Sequence, residues 1–198
     1  MKKVVIVGTG ALGSHVAMLL RNEAALKLVD FDRVERKNLA AQFFNKGSVG
    51  RNKAQALQGL MSLLWDTKTE MVPHKLTKDN NVELLKDSDL VIDCLDNGEG
   101  RRAVQDFTLR YTNPATGAPH VACLHGALAA EGQLGRVVWD EKFAVDDEDG
   151  PGQATCEGGE FLPFVTITAA YVAYAAQQYL KTGRKTSFQV TPAGVMKI

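Results

Sequence analysis

Along the first fifth of the chain the hydrophobic period switches. In "KVVIVGTGALGSHVAMLLRN" a continuous apolar run predicts a buried strand, the glycines after it predict a turn, and Val16, Leu19 and Leu20 recur at helical spacing. "ALKLVDFD" predicts a second strand. In "SVGRNKAQALQGLMSLLWD", Ala54, Leu57, Met61 and Leu64 share one face, which predicts a long amphipathic helix from about Asn52. "TEMVPHKL" is a weaker strand; Pro73 cannot donate to a ladder, so the strand belongs at a sheet edge, where the third strand of a doubly wound order 3-2-1-4 lies. "NNVELLKDSDLVIDCLDN" predicts a short helix and a fourth apolar strand, "RRAVQDFTLRYT" a helix and "APHVACLHGA" a fifth strand.

Beyond this point the alternation changes. "GQLGRVVWDE" and "SFQVTPAGVMKI" predict strands, the latter a hairpin around Pro192 to Gly194, with one helix from about Pro163 to Lys181 between them. The expected architecture is a Rossmann-like α/β fold in three layers. Its parallel, doubly wound part spans about 1–125 and a mixed, antiparallel extension spans about 126–198, within one domain. The glycine-rich polar break at 140–160 is read as a loop inside that domain.

Composition narrows the function classes. The 198 residues carry 23 basic and 23 acidic side chains, so no charge excess points to nucleic acid or an acidic membrane surface. The apolar run at the N-terminus breaks at Gly8 without a cleavage-type site, and no stretch approaches the roughly 18 apolar residues of a membrane span, so a cytoplasmic protein is expected. Cys94, Cys123 and Cys156 form no C-x-x-C pair, which fits free thiols in a reducing compartment.

Gly8-Thr9-Gly10-Ala11-Leu12-Gly13 is G-x-G-x-x-G between a strand and a helix. The first glycine permits the tight turn, the second lets backbone amides approach a phosphate, and the third allows close helix packing with the helix N-terminus facing the anion. Asp30, ending the second strand, is placed for a ribose hydroxyl of NAD, FAD or ATP, so this fingerprint alone leaves the chemistry open. A hydride-transfer enzyme also needs a nicotinamide pocket and an acid/base near the later strands. Here Asp32, Asn38, Gln42, Arg51 and Lys53 follow the ribose acid instead. Arg51 and Lys53 stand at a helix start, where the dipole disfavours cations and a bound polyphosphate offsets the cost. Asp93, Asp96 and Asn97 end strand four at the same carboxyl edge. A carboxylate facing a polyphosphate there can hold Mg2+, Asp96 in the loop being the better placed, while capping of the next helix is the competing role for Asp96 or Asn97.

Taken in order, G-x-G-x-x-G, "VDFDRVERKNLAAQ", "VGRNKAQAL" and "VIDCLDN" with Arg101 four residues beyond Asn97 resemble the ThiF/MoeB/E1-like superfamily of ATP-dependent adenylyltransferases, over Val4 to about Trp139. The resemblance implies activation of the C-terminal carboxylate of a ubiquitin-like or sulfur-carrier protein ending in Gly-Gly, by attack on the α-phosphorus of ATP with pyrophosphate leaving. It implies that Asp30 holds the ribose, Asp32 and Asn38 shape the phosphate and metal environment, Lys53 contacts the phosphates and Asp96 coordinates Mg2+. It also implies a homodimer or a heterodimer with a related subunit, for which the small residues of "TITAAYVAYAAQQYL" suit close packing.

The chain departs from the family pattern in places. Members often carry an arginine in N-L-x-R-Q, where this chain reads Asn38-Leu39-Ala40-Ala41-Gln42. A helical extension bearing a further arginine and the two C-x-x-C pairs of a structural zinc have no counterpart, so no structural zinc is expected. Arg51, Arg36 or a partner's arginine are the available substitutes. An ATP-binding but catalytically degenerate partner subunit is the alternative reading, with an NAD-dependent oxidoreductase behind it. Cys156, before the last helix, is a candidate nucleophile, although Glu157 and Glu160 oppose a lowered pKa. "DDEDG" at 146–150 is a solvated loop or a guide for a basic peptide tail. Cys94 and Cys123 are expected to be buried and inert. His15, His74, His120 and His125 are expected in structural roles, His125 being the one near the crevice.

Overall fold

The computed structural model describes residues 1–129, 133–140, 143–145 and 159–198. Among these residues one sheet holds β1 (Lys3–Val7), β2 (Ala25–Val29), β3 (Glu70–Val72), β4 (Leu90–Asp93), β5 (Ala122–Leu128), β6 (Gly135–Trp139), β7 (Phe188–Thr191) and β8 (Gly194–Lys197) in the order β3-β2-β1-β4-β5-β6-β7-β8. The first five strands pair in parallel, and the last three join antiparallel. This is the expected doubly wound sheet with its mixed extension, and β3, ending just before Pro73, lies at the edge.

Parallel strands are covered on both faces, so the side-chain period of two divides their apolar runs between two cores. Val4, Ile6, Leu26, Leu28, Leu90, Ile92 and Leu124 face α1 (Ala11–Leu20), α2 (Lys53–Trp65) and α5 (Leu162–Thr182). Val5, Val7, Val29, Val91 and Cys123 face α3 (Asn81–Leu85) and α4 (Gly98–Arg110), which contribute Leu85, Ala103, Val104 and Phe107. Cys94 and Cys123 are both buried, and burial raises both thiol pKa values.

Three details differ from the periodicity. Leu19 and Leu64 belong to the predicted apolar faces but are exposed, Leu64 by 52%. The helix α2 packs on β2 and β3 at the sheet edge, where Ala54, Leu57, Leu60 and Met61 fill the contact and the final turn projects past it. The small residues of α5 do not form a free face. Ala169, Ala173, Ala175 and Ala176 are buried in the same core as α1, leaving Ile167 and Tyr174 outward. Two short 3-10 segments, Arg36–Ala40 and Lys46–Ser48, fill the span between β2 and α2 that the pattern left open.

Phe107 is fully buried and stacks on Tyr111 at 5.3 Å between ring centroids. Urea unfolding should register Phe107→Ala as a loss of about 3–5 kcal/mol. The same measurement on Leu64→Ala should change by no more than about 0.5 kcal/mol.

Candidate active site

Because strands β1, β2, β4 and β5 run in one direction, their carboxyl ends deliver four loops to one edge, where the strand order reverses. The loops enclose a cleft of about 670 Å³. Gly8 has φ of +83° and donates its N–H to Val29 O at 2.9 Å, which turns the chain sharply off β1. A Cβ on Gly8 would lie 2.9 Å from Cys94 O, and one on Gly13 would lie 1.8 Å from Gly8 O. Gly8, Gly10, Ala11 and Leu12 line the cleft; Gly13 does not, and acts instead as the point of close packing.

Asp30 is buried, and its carboxylate organises this loop as well as facing the cleft. Oδ2 accepts from Thr9 N–H at 2.7 Å and from the Thr9 hydroxyl at 3.0 Å, while Oδ1 accepts from Asp32 N–H at 2.9 Å. Burial raises its pKa, and Lys53 with the Thr9 and Asp32 amides opposes that shift. Lys53 opens α2 and reaches into the cleft, its Nζ 3.1 Å from Asp32 Oδ2. A residue not singled out in the sequence fixes this pair. Asn52 caps α2 by accepting from Gln55 N–H at 3.1 Å, and its amide donates to Asp30 O at 2.8 Å and Asp32 O at 3.1 Å. The readable signal was an asparagine at the N-cap position; its second function depends on the β2 loop lying beside it.

Asn38 is buried, and Oδ1 accepts from Glu35 N–H at 2.7 Å, so it shapes the 3-10 turn while bordering the cleft. Gln42 also lines the cleft, with a buried Oε1 that has no hydrogen-bond partner. Arg51 is a correction to the sequence expectation. It is exposed and does not line the cleft; its guanidinium lies over Gly59 on the flank of α2, because its backbone pairs with Val34 and turns the side chain outward. Ala41 is buried, and its carbonyl accepts from His15 Nε2 at 3.2 Å. Burial lowers the pKa of His15, which keeps this imidazole a neutral donor.

On the opposite wall Asp96 is exposed to the cleft, while the Asn97 side chain caps α4 by accepting from Gly100 N–H at 2.8 Å. Arg101 ties the wall together, donating to Leu95 O, to Gly126 O at 3.2 Å and to Asp93 at 3.4 Å. Behind it the fully buried His125 ring spans two carboxylates, with Nδ1 2.8 Å from Asp93 and Nε2 2.9 Å from Asp140. Phe143, which lines the cleft, stacks flat on His125 at 3.8 Å. The sequence put His125 near the crevice; its two carboxylate partners depend on the β4–β5 and β5–β6 pairings and were not legible. Cys156 and the acidic run 146–150 lie outside the described residues.

A glycine cradle that a Cβ would fill, an orphaned Gln42 oxygen, Lys53 at a helix start and Asp96 opposite it suit a nucleotide triphosphate with Mg2+. The ThiF family model matches residues 1–191. A relative from Lodderomyces elongisporus, "Adenylyltransferase and sulfurtransferase UBA4", is 31% identical over 201 aligned positions, covering 96% of this chain and 42% of its own length. The "Sulfur carrier protein adenylyltransferase" of Thermus thermophilus is 36% identical over 118, covering 56% of this chain and 42% of its own. The chain thus spans well under half the length of these relatives. Among solved structures, E. coli MccB with ATP superposes with a TM-score of 0.72 at 15% identity, over 100% of this chain and 62% of that one, a likeness of fold. Among the described residues no helix is long and apolar enough to cross a membrane.

Burial would raise the Asp93 pKa, but the Arg101 guanidinium and His125 hold the carboxyl below its ordinary value. Folding therefore gains from the ionised form above pH of about 4, and the gain disappears as pH falls through the lower folded-state value. Urea unfolding between pH 5 and pH 3, which bracket that range, should show stability falling with acid. The slope should flatten in Asp93→Asn.

Proposed function

The chain belongs to the ThiF family, and on that premise we propose that residues 1–198 act as one cytoplasmic nucleotide-binding domain that adenylates a carboxylate with ATP and Mg2+. The substrate we infer is the C-terminal carboxylate of a small ubiquitin-like or sulfur-carrier protein ending in Gly-Gly. The observation that carries this reading is the convergence of the glycine loop, the Asp32–Lys53 pair and Asp96 around one cleft. Lys53 exchanges its partner Asp32 for phosphate oxygens, and the helix N-terminus behind it favours the same anion. Asp96 would hold Mg2+, which would supply charge neutralisation at the phosphates. Asp30 holds the ribose, and Asn38 and Gln42 border the phosphates. The carboxylate then attacks the α-phosphorus and pyrophosphate leaves; catalysis of this kind rests on positioning and electrostatics. Cys156 is the candidate nucleophile for a later thioester step, in which its thiolate attacks the acyl carbon of the adenylate and AMP leaves.

A second reading has an observation of its own. The position where the family carries arginine is Ala41, buried against Ala11 and Val165, so the site has one cation fewer. On this reading the chain is an ATP-binding subunit that leaves catalysis to a related partner.

ATP–pyrophosphate exchange in the presence of a Gly-Gly carrier separates the two. Robust exchange, abolished by Asp96→Ala and lowered about 10²–10³-fold by Lys53→Ala, supports adenylation. Arg51→Ala should leave the rate near that of the unsubstituted protein. ATP binding without exchange selects the degenerate subunit, and NAD binding tighter than ATP-Mg2+ overturns both.

We also propose a dimer. Its support is the outward apolar surface of Ile167 and Tyr174, with a shallow pocket bounded by Phe161, Pro163, Ile167 and Pro192. Light scattering should give twice the chain mass, and Ile167→Glu should shift the population to monomer.

A further inference from the structure

Cys123 and His125 stand two residues apart on β5, so both side chains leave the same face of the sheet. Asp140 follows Trp139, which pairs with Leu124, and therefore reaches that face from the antiparallel neighbour β6. A C-x-H on one strand and an Asp from the next thus converge by pleat and register alone. The Cys123 sulfur, a His125 nitrogen and an Asp140 oxygen lie within 4.8 Å of one another. Cys123 and His125 are buried, while the Asp140 side chain keeps 10% exposure.

We propose that Cys123 Sγ, His125 Nε2 and an Asp140 oxygen form a site for one divalent ion of the zinc class, distinct from the Mg2+ position at Asp96. Donor chemistry selects the ion. A thiolate and an imidazole beside one carboxylate suit Zn2+ or Co2+, whereas Mg2+ prefers oxygen donors alone. The imidazole is already oriented as a ligand. Its Nδ1 is held by Asp93 at 2.8 Å, which leaves Nε2 aimed at Asp140, and Asp93 is itself fixed by Arg101 and by the Leu95 N–H at 2.9 Å. A carboxylate on the far nitrogen of a ligating histidine is the usual supporting contact of metal sites. Phe143, stacked on the ring, shields it, and the partly open Asp140 gives a route for the ion and for a water as fourth ligand.

Charge balance permits the exchange. Without metal, Arg101 and a doubly donating His125 imidazolium offset Asp93 and Asp140, with Cys123 a neutral thiol. With a divalent ion, the His125 Nε2 proton and the Cys123 thiol proton leave as two protons, and the cluster keeps the same net charge. The ion would then join β5, β6 and the segment carrying Phe143. It does so with donors unrelated to C-x-x-C pairs, so the expectation of no structural zinc, drawn from their absence, does not bear on this cluster.

The test uses the full chain, stripped with a chelator, shown to be folded by circular dichroism, and titrated with Zn2+ or Co2+ alone. The expected result is one equivalent bound, two protons released into weak buffer, and a cobalt spectrum with thiolate charge transfer and tetrahedral d–d bands. The charge-transfer band should be lost in Cys123→Ser and His125→Gln and kept in Cys94→Ser and Cys156→Ser. Asp93→Asn should weaken binding about 10–100-fold. Folded, unsubstituted protein that binds neither ion overturns the proposal and leaves a hydrogen-bonded imidazolium between two carboxylates. A charge-transfer band that survives Cys123→Ser overturns it as well. Because the unsubstituted chain decides the question, a variant that fails to fold does not.

Discussion

The approach of Gly13 to the carbonyl of Gly8 is the constraint on which the rest of the site depends. With no Cβ at Gly13, the first turn of α1 rests directly on the end of β1, where a methyl group would sit 1.8 Å from the Gly8 oxygen. This closeness sets the height of α1 above the sheet edge and, through it, the loop that follows β2. Ser14 Oγ accepts from Phe43 N–H at 3.0 Å, and His15 donates to Ala41 O. Asn38 and Gln42 are therefore held against the cleft by residues of the helix that Gly13 seats. One glycine contact fixes both the glycine loop and the rim that carries Asn38 and Gln42.

The cations around the cleft are held in a resting arrangement. Lys53 is paired with Asp32, Lys75 with Glu99 at 2.7 Å, and Lys37 with Glu35 at 3.5 Å. The Lys75–Glu99 and Lys37–Glu35 pairs are exposed and worth about 0–1 kcal/mol each, whereas the Lys53 side chain is only 12% exposed beside Asp32. Arg101 differs. It is nearly buried, and its donors are committed to two backbone carbonyls and Asp93, so it contributes rigidity in place of an exchangeable charge.

Much of this was legible in the chain, for identifiable reasons. Continuous apolar strands, the glycine fingerprint and Pro73 after the edge strand depend on local pattern, and the sheet order followed from them. Asp30 and Asp96 could be placed because a strand's carboxyl end is a position in sequence as well as in space. Arg51 could not, because its direction is set by backbone pairing with Val34, a contact across the loop. Leu64 fits the helical period yet is exposed, since periodicity does not say where the sheet beneath a helix stops. Asn52 as a bridge to the β2 loop and Asp140 as the second carboxylate on His125 both depend on tertiary register. The small residues of α5 resembled a dimer face and turned out to be the surface on which α1 packs.

Arg101 also bears on how the cleft can move. Its planar fork spans the Leu95 carbonyl, which leads into Asp96, and the Gly126 carbonyl near the end of β5. The Asp96 loop and that strand end therefore form one mechanical body, and a displacement imposed on either is carried to the other through the guanidinium. A lysine at this position would supply the charge but not the span, leaving two walls free to shift independently. The cleft then behaves less like a jaw with two movable sides than like a rigid notch.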